Sequence, residues 1–346
     1  MFQTRARAAL ADKGDQDMTS ILEGKNLVTK FHTVDGVVNA VNDVSFSLED
    51  GETLAIVGES GSGKSVSMMS IMGLLPSPPA KVESGQALFN SKDGIVDLIK
   101  LPYETMSDIR GGQIGFVFQD PGTSLNPILT IGKQISETLT RHLGISGREA
   151  KDKAVSLLAE VGIPDPTLRY DAFPFQLSGG MRQRAMIAIA VACTPRIVIA
   201  DEPTTALDVT IQAQIVSLFK QLRAKMGVST IWITHDLGLV AGLADRVLVM
   251  YAGQILETAP VDELYENPKH PYTVGLLGAL PRLDTQESKR LVSIDGTPPD
   301  STIPIHHCPF AWRCTHAFER CWNEKPALAS VGEKHTVACF YAVEKG

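Results

Sequence analysis

The sequence predicts an α/β fold built on a largely parallel sheet. Three observations predict it. Short apolar runs recur at Thr53–Gly58 (TLAIVG), Ile197–Ala200 (IVIA), Thr230–Thr234 (TIWIT) and Arg246–Gly253 (RVLVMYAG), and helix-length segments separate the later ones. The first run feeds directly into a glycine-rich loop, GESGSGKS, at Gly58–Ser65. The second ends in two carboxylates, Asp201 and Glu202.

The remaining elements follow in order. The first 18 residues, MFQTRARAALADKGDQDM, lack the apolar core of a signal peptide and read as a polar extension, with Met18 an alternative start. NLVTKFHTV and AVNDVSFSLED, between Leu22 and Glu52, alternate as strands of a small antiparallel sheet. After Lys64, SVSMMSIMGLL suits a buried helix that Pro76, Pro78 and Pro79 terminate. Residues 83–100 read as a hairpin region. Gln113 to Phe118 read as a strand that Gln119 closes. Between 121 and 176, TIGKQISETLTRHL and REAKDKAVSLLAEVGI carry helical spacing, so this part is expected to be a helical insertion outside the sheet. Beyond Pro260, PVDELYENPKHPYTVGLLGAL is expected to form two short helices. A turn-rich linker from PRLDTQ to TIPIHH and a cysteine-bearing tail follow.

Composition excludes several classes. A chain of 346 residues that is 44% hydrophobic can bury a real core and does not read as disordered. Its nine-residue apolar stretch Ala185–Cys193 falls short of the ~20 residues of a spanning helix. A cytoplasmic protein is therefore expected. Five cysteines are too few for a disulfide scaffold. A net charge of −7 gives no electrostatic case for nucleic acid as the main partner.

The motifs point to nucleotide chemistry. Gly58–Ser65 has the Gly-x4-Gly-Lys-Ser spacing of a P-loop, between a strand and a helix. Its glycines let backbone N–H groups turn toward phosphate oxygens, and the helix N-terminus adds partial positive charge. Lys64 is placed to reach the β- and γ-phosphates, and Ser65 to offer its hydroxyl to Mg2+. Asp201, at the end of a buried strand, can hold Mg2+, and Glu202 beside it can orient or deprotonate water. His235 follows the strand Thr230–Thr234, at the carboxyl end where parallel sheets present functional groups. Gln119 ends another strand and can sense Mg2+ and the attacking water. LSGGMRQR (Leu177–Arg184) adds a second anion-binding turn, with Ser178, Gly179 and Gly180 at the start of a helix. One ATP does not need two such turns from one chain. Two chains packed head to tail resolve this, each presenting its LSGG turn to the γ-phosphate held by the other.

In this order the motifs resemble the ABC ATPase family over about residues 20–260: P-loop, loop glutamine Gln119, signature LSGGMRQR, Walker B strand 197–202, D-loop TALD (Thr205–Asp208) and switch histidine His235. The resemblance implies a P-loop NTPase core of the ABC type, with an antiparallel β subdomain and a helical subdomain at about 121–178. The implied ATPase domain is 19–260. It implies ATP contacts by Phe31, whose ring would lie against adenine, and by Gly58, Glu59, Ser60, Gly61, Ser62, Gly63, Lys64, Ser65 and Val66. Ser65, Gln119 and Asp201 would organise Mg2+. Glu202 would be the general base and His235 would fix the γ-phosphate. Ser178, Gly179, Gly180 and Asp208 would serve the dimer partner.

QDPGTSLNP (Gln119–Pro127), DEPTTALDVTIQAQI (Asp201–Ile215) and NPKHPYTVGLL (Asn267–Leu277) resemble the dipeptide/oligopeptide importer branch. That implies a peripheral ATPase on the cytoplasmic face of the membrane. Its partners would be a second ATPase (a paralogue or another copy), two transmembrane permease subunits and an extracytoplasmic solute-binding protein, with no nucleic acid. Nickel, glutathione and sugar oligomers are alternative cargoes. A soluble nucleic-acid or ribosome-associated ABC protein is a more distant alternative, normally with tandem domains or large inserts.

The tail, read as a Cys-rich extension over 261–346, has the spacing C-x5-C-x6-C-x17-C at Cys308, Cys314, Cys321 and Cys339. Four thiolates can bind Zn2+ or a [4Fe–4S] cluster, though no C-x2-C pair is present. His306, His307, His316 and His335 widen the ligand set, and four free thiols in a small core remain an alternative. The polar last 45 residues have little hydrophobic material of their own, and a metal could stabilise them. Trp312, Phe318 and Trp322 could shield such a centre. The importer resemblance implies [4Fe–4S], structural or redox-sensing, although His307 stands where relatives commonly have Gly.

Overall fold

The computed structural model describes residues 20–280 and 294–345. The polar extension read at 1–18, and the start of the turn-rich linker, lie outside them. The strands β1 (Ser20–Thr33) and β2 (Gly36–Glu49) form an antiparallel hairpin. β3 (Thr53–Val57) is buried throughout and enters a second sheet. The helix α1 (Lys64–Ile71) follows the glycine-rich loop. β4 (Ala80–Ser91) and β5 (Gly94–Asp97) return to the first sheet, whose order is β2-β1-β4-β5. Met68 and Ile71 of α1 pack with Leu22, Leu27 and Phe89 from this sheet and Ile56 from the other. The phosphate-loop helix is thereby wedged between two apolar sheet faces.

Next come α2 (Tyr103–Ile109) and β6 (Ile114–Val117). Four helices follow: α3 (Pro121–Ser124), α4 (Ile131–Leu143), α5 (Gly147–Glu160) and α6 (Pro166–Tyr170). Thr130 caps α4 by accepting from the Lys133 N–H, and Gly144 stops it in the left-handed region, φ 70°. Ile135 and Leu139 of α4 share a core with Leu157 and Leu158 of α5 and with Ile187 of α7 (Gly179–Val191). That shared core holds the helical layer onto the helix that carries the LSGG turn.

The alternation then resumes as β7 (Ile197–Asp201), α8 (Val209–Met226), β8 (Ser229–Thr234), α9 (Leu237–Val240) and β9 (Arg246–Tyr251). β6, β7, β8, β3 and β9 pair in parallel. Every residue of β7 and β8 is buried, as continuous apolar strands covered on both faces should be. Phe219 of α8 meets Trp232 of β8 edge-on, with ring centroids 4.9 Å apart.

Past β9 the chain departs from the sequence reading. β10 (Gln254–Pro260) folds back antiparallel on β9 through a two-residue turn. Both turn residues, Ala252 (φ 47°) and Gly253 (φ 75°), have the left-handed backbone that such hairpin turns require. α10 (Val261–Glu266) and α11 (Pro271–Gly278) are the two short helices expected there. α12 (Glu319–Asn323), β11 (Ala329–Gly332), β12 (His335–Val337) and α13 (Phe340–Lys345) complete the described chain.

The expectation of a distinct Cys-rich extension is corrected here. β12 pairs with β10, so the terminal region adds strands to the main sheet, whose order is β11-β12-β10-β9-β3-β8-β7-β6. Cys308, Phe310, Ala311 and Cys321 share one core with Val57, Tyr251, Leu264 and Tyr272. The last 45 residues borrow their hydrophobic partners from the sheet and from α10 and α11, which a count of their own apolar residues could not reveal. Buried Glu257 of β10 fastens them further. Its carboxylate accepts from the Lys269 N–H (2.6 Å) and His270 N–H (3.0 Å) at the start of α11, and lies 2.8 Å from His335 Nε2 on β12.

Candidate ATP site

The phosphate loop is shaped by glycines that nothing else could replace. Gly58 has φ 151°, and a Cβ there would sit 2.2 Å from the Met250 carbonyl oxygen. Gly63 has φ 96°, with Ala40 O 2.5 Å from its would-be Cβ. Lys64 Nζ donates to the carbonyls of Gly58 (2.8 Å) and Glu59 (2.9 Å), curling over the loop. Burial lowers the Lys64 pKa, and the nearby carboxylates of Glu202, Asp201 and Glu59 oppose that shift. Ser65 lies in the first turn of α1, and Val66 packs, partly buried, against the core between the sheets.

β7 delivers Asp201 to this loop. Ser65 Oγ donates to Asp201 Oδ1 at 2.6 Å. Burial raises the Asp201 pKa and Glu202 adds to the shift, while the Ser65 hydrogen bond opposes it. A hydroxyl beside a buried carboxylate is a hard-oxygen donor set whose charge a divalent cation would stabilise, so these residues fit Mg2+.

Glu202 sits one residue past the strand at φ 45°, a left-handed backbone uncommon for glutamate. Its amide donates to the Ile233 carbonyl of β8, which holds it there. Its Oε2 accepts from Gln119 Nε2 (3.0 Å) and Thr205 Oγ1 (2.8 Å), and its Oε1 lies 3.3 Å from His235 Nδ1. The ends of three adjacent parallel strands, β6, β7 and β8, thus bring Gln119, Glu202 and His235 together. Gln119 bonds Glu202 here, and its amide makes no hydrogen bond with Ser65 or Asp201 among the described residues.

The LSGG turn lies elsewhere. Ser178 is exposed and caps α7 by accepting from the Met181 N–H, and Asp208 caps α8 by accepting from the Ile211 N–H. Among the hydrogen bonds of the described residues, none joins Ser178, Gly179, Gly180 or Asp208 to the loop Gly58–Ser65. Phe31 is half-buried on β1, opposite Val38 of β2 and Ala80 of β4.

Sequence reading missed three residues here. Thr205 grips Glu202 from three positions on, a signal present in the run EPTT. Tyr272, whose OH accepts from the Glu59 N–H, and Arg313, which pairs with the Glu59 carboxylate, act across 213 and 254 residues of chain, where no local pattern points.

The metal reading of the tail is overturned. Among the described residues, no group of three or more His, Cys, Asp or Glu side chains is arranged to hold a metal ion. Cys308, Cys314, Cys321 and Cys339 are free thiols. Burial pushes the Cys308 thiol up to about 12 and raises Cys314 and Cys339 as well, favouring neutral S–H over the thiolate that a metal needs. Among the described residues the tail therefore holds neither a [4Fe–4S] cluster nor Zn2+.

Comparisons with known proteins agree with the geometry. The family described as ABC transporter matches residues 41–205, and the oligopeptide/dipeptide transporter C-terminal region matches residues 256–321. The chain is 52% identical to the oligopeptide transport ATP-binding protein OppD of Bacillus subtilis over 320 residues, covering 92% of this chain and 88% of that one. It is also 52% identical to the dipeptide transport ATP-binding protein DppD of the same organism, covering 93% and 95%. Among solved structures it resembles a dimeric ATP-binding cassette in a post-hydrolysis state bound to ADP and phosphate, with TM-score 0.62 and 28% identity over 69% of this chain and 98% of that one. With that site, that fold and those relatives, the chain belongs to the ATP-binding subunits of the peptide/oligopeptide ABC importer family.

Proposed function

We propose that this chain powers the uptake of di- or oligopeptides, as one of two ATPase subunits on the cytoplasmic face of a membrane importer. Its relatives' names as oligopeptide and dipeptide transport ATP-binding proteins support the cargo. Among the described residues no helix is long and apolar enough to cross a membrane, so two permease subunits provide the path and a solute-binding protein delivers the peptide. The ATPase unit spans about 19–260, its helical part about 121–178, and the importer-type region runs from 261 to 346.

The observation that carries the reading is Glu202, with both carboxylate oxygens engaged by Gln119, Thr205 and His235 beside the Ser65–Asp201 pair. On ATP binding, Lys64 exchanges its carbonyl partners for the β- and γ-phosphates, and the loop amides from Glu59 to Ser65 cradle the chain of phosphates. Ser65 and Asp201 would hold Mg2+, with Gln119 as a third residue toward it. There the cation would supply positive charge against the phosphates. Glu202 accepts the proton of the attacking water, and His235 fixes the γ-phosphate geometry. Phe31 stacks on adenine. Ser178, Gly179 and Gly180 reach the γ-phosphate held by the second ATPase, with Asp208 at the same interface. Closure of the two subunits moves the permeases.

Uptake by the complete complex in proteoliposomes tests this. ATP inside the vesicle equivalent of the cytoplasm should drive accumulation of a labelled dipeptide or hexapeptide. ATP-dependent uptake of nickel, glutathione or a sugar oligomer without any peptide uptake would refute the cargo.

A further inference from the structure

The Arg313 side chain is only 4% exposed, yet it reaches the phosphate loop from the far end of the chain. Its Nη1 donates to Glu59 Oε2 at 2.7 Å and its Nη2 to Glu59 Oε1 at 3.0 Å, a two-pronged pairing. The guanidinium is itself anchored. Nε donates to the Asp295 carbonyl (2.9 Å), Nη2 to the Ile294 carbonyl (3.2 Å) and Nη1 to the Tyr251 hydroxyl (3.3 Å). Glu59 is held at two further atoms: its N–H donates to Tyr272 OH (2.9 Å), and its carbonyl accepts from Lys64 Nζ (2.9 Å).

We propose that Arg313 is a positioning residue for ATP binding, which neutralises the Glu59 carboxylate and locks the first turn of the phosphate loop. The argument rests on the reading of Gly58–Ser65 as the ATP site. Glu59 is the second residue of that loop, and its charge already acts on Lys64. A triphosphate brings several negative charges to this place, so an unpaired carboxylate in the loop would repel it. A planar guanidinium gripping both carboxylate oxygens removes the repulsion and fixes the side chain. An ammonium can supply the charge but not the fork. Tyr272 adds a contact to the Glu59 backbone from α11. The importer-type C-terminal region thereby sets the charge and shape of the nucleotide loop.

The test is the equilibrium affinity of the full-length chain for Mg-ATP, read with a fluorescent ATP analogue. Arg313→Ala should weaken binding about tenfold, the effect of losing a charge-assisted pairing. Arg313→Lys should weaken it about threefold, keeping the charge and losing the fork. Adding Glu59→Gln to Arg313→Ala should recover most of the lost affinity, because the unpaired charge is gone; a merely structural Arg313 would show no such recovery. An Arg313→Ala affinity within twofold of the parent, or a double variant no better than the single, overturns the proposal. If Arg313→Ala does not fold by circular dichroism, Arg313→Lys decides it, and unchanged affinity there overturns the proposal. Lys64→Ala separates the two failures: undiminished ATP binding in that variant refutes the loop as the ATP site, whatever Arg313 does.

Discussion

If aromatic packing rather than a metal organises the C-terminal region, Phe310 is its most consequential side chain. Its ring is 3% exposed. It meets Tyr251 edge-on at 5.5 Å, Tyr272 at 5.3 Å and the His270 ring at 5.7 Å, so one residue joins the tail to β9 and to α11. Phe310→Ala removes these contacts and leaves a cavity that rigid strands on one side cannot close. Buried Phe→Ala changes cost about 3–5 kcal/mol, and the three ring contacts place this one toward the upper end. Urea unfolding followed by tryptophan fluorescence reads the loss in place. Trp312 and Trp322, exposed and meeting edge-on at 5.0 Å, report the terminal region, and fully buried Trp232 reports the sheet. The transition reported by Trp312 and Trp322 should move to lower urea, while dialysis against a strong chelator leaves the parent's curve unchanged. A loss below about 1 kcal/mol in Phe310→Ala, or a chelator shift as large as the mutation's, would refute this reasoning.

Other predictions follow from single residues. Burial lowers the His270 pKa to about 3, and its Nδ1 accepts from the Tyr272 N–H, so the folded protein keeps this ring neutral. The unfolded chain takes up a proton below about pH 6.5 that the folded one refuses, so stability falls as pH drops from about 6.5 toward 3. By pH 5 this amounts to about 2 kcal/mol, and it should vanish from the difference between pH 7 and pH 5 urea curves in His270→Gln. Equal pH dependence in both proteins would contradict it. Gly63→Ala must place a Cβ against the Ala40 carbonyl at a φ of 96°, and should weaken ATP binding on the order of tenfold or more in an equilibrium titration. Unaltered affinity would show that the loop backbone is not held as described.

The legible parts of this molecule were those with local physics. β3, β7 and β8 are continuous apolar runs because both faces are covered, and such runs stand out in sequence. Lys64, Ser65, Asp201, Glu202 and His235 lie at loop or strand ends beside these runs, so their convergence was readable from motif order. β10 escaped because its turn places an alanine, Ala252, in a conformation that usually signals glycine or asparagine. β11 and β12 escaped because they are only four and three residues long, and gain their place by pairing, β12 onto β10 and β11 onto β12. The tail was misread for a related reason. The core around its cysteines is built with Tyr251 and Tyr272, which precede the last 45 residues, so the composition of those residues made them look too polar to fold without a metal. Clustered cysteines then suggested ligands where the structure buries neutral thiols.

The proposed general base, Glu202, is held by Gln119, Thr205 and His235 at a site where ATP binding does not depend on it. Phosphate release by Glu202→Gln in the assembled importer tests this most directly, with Mg-ATP affinity measured on the same preparation. Turnover should fall on the order of 100-fold or more with ATP binding retained. Turnover at the parent's rate would contradict it.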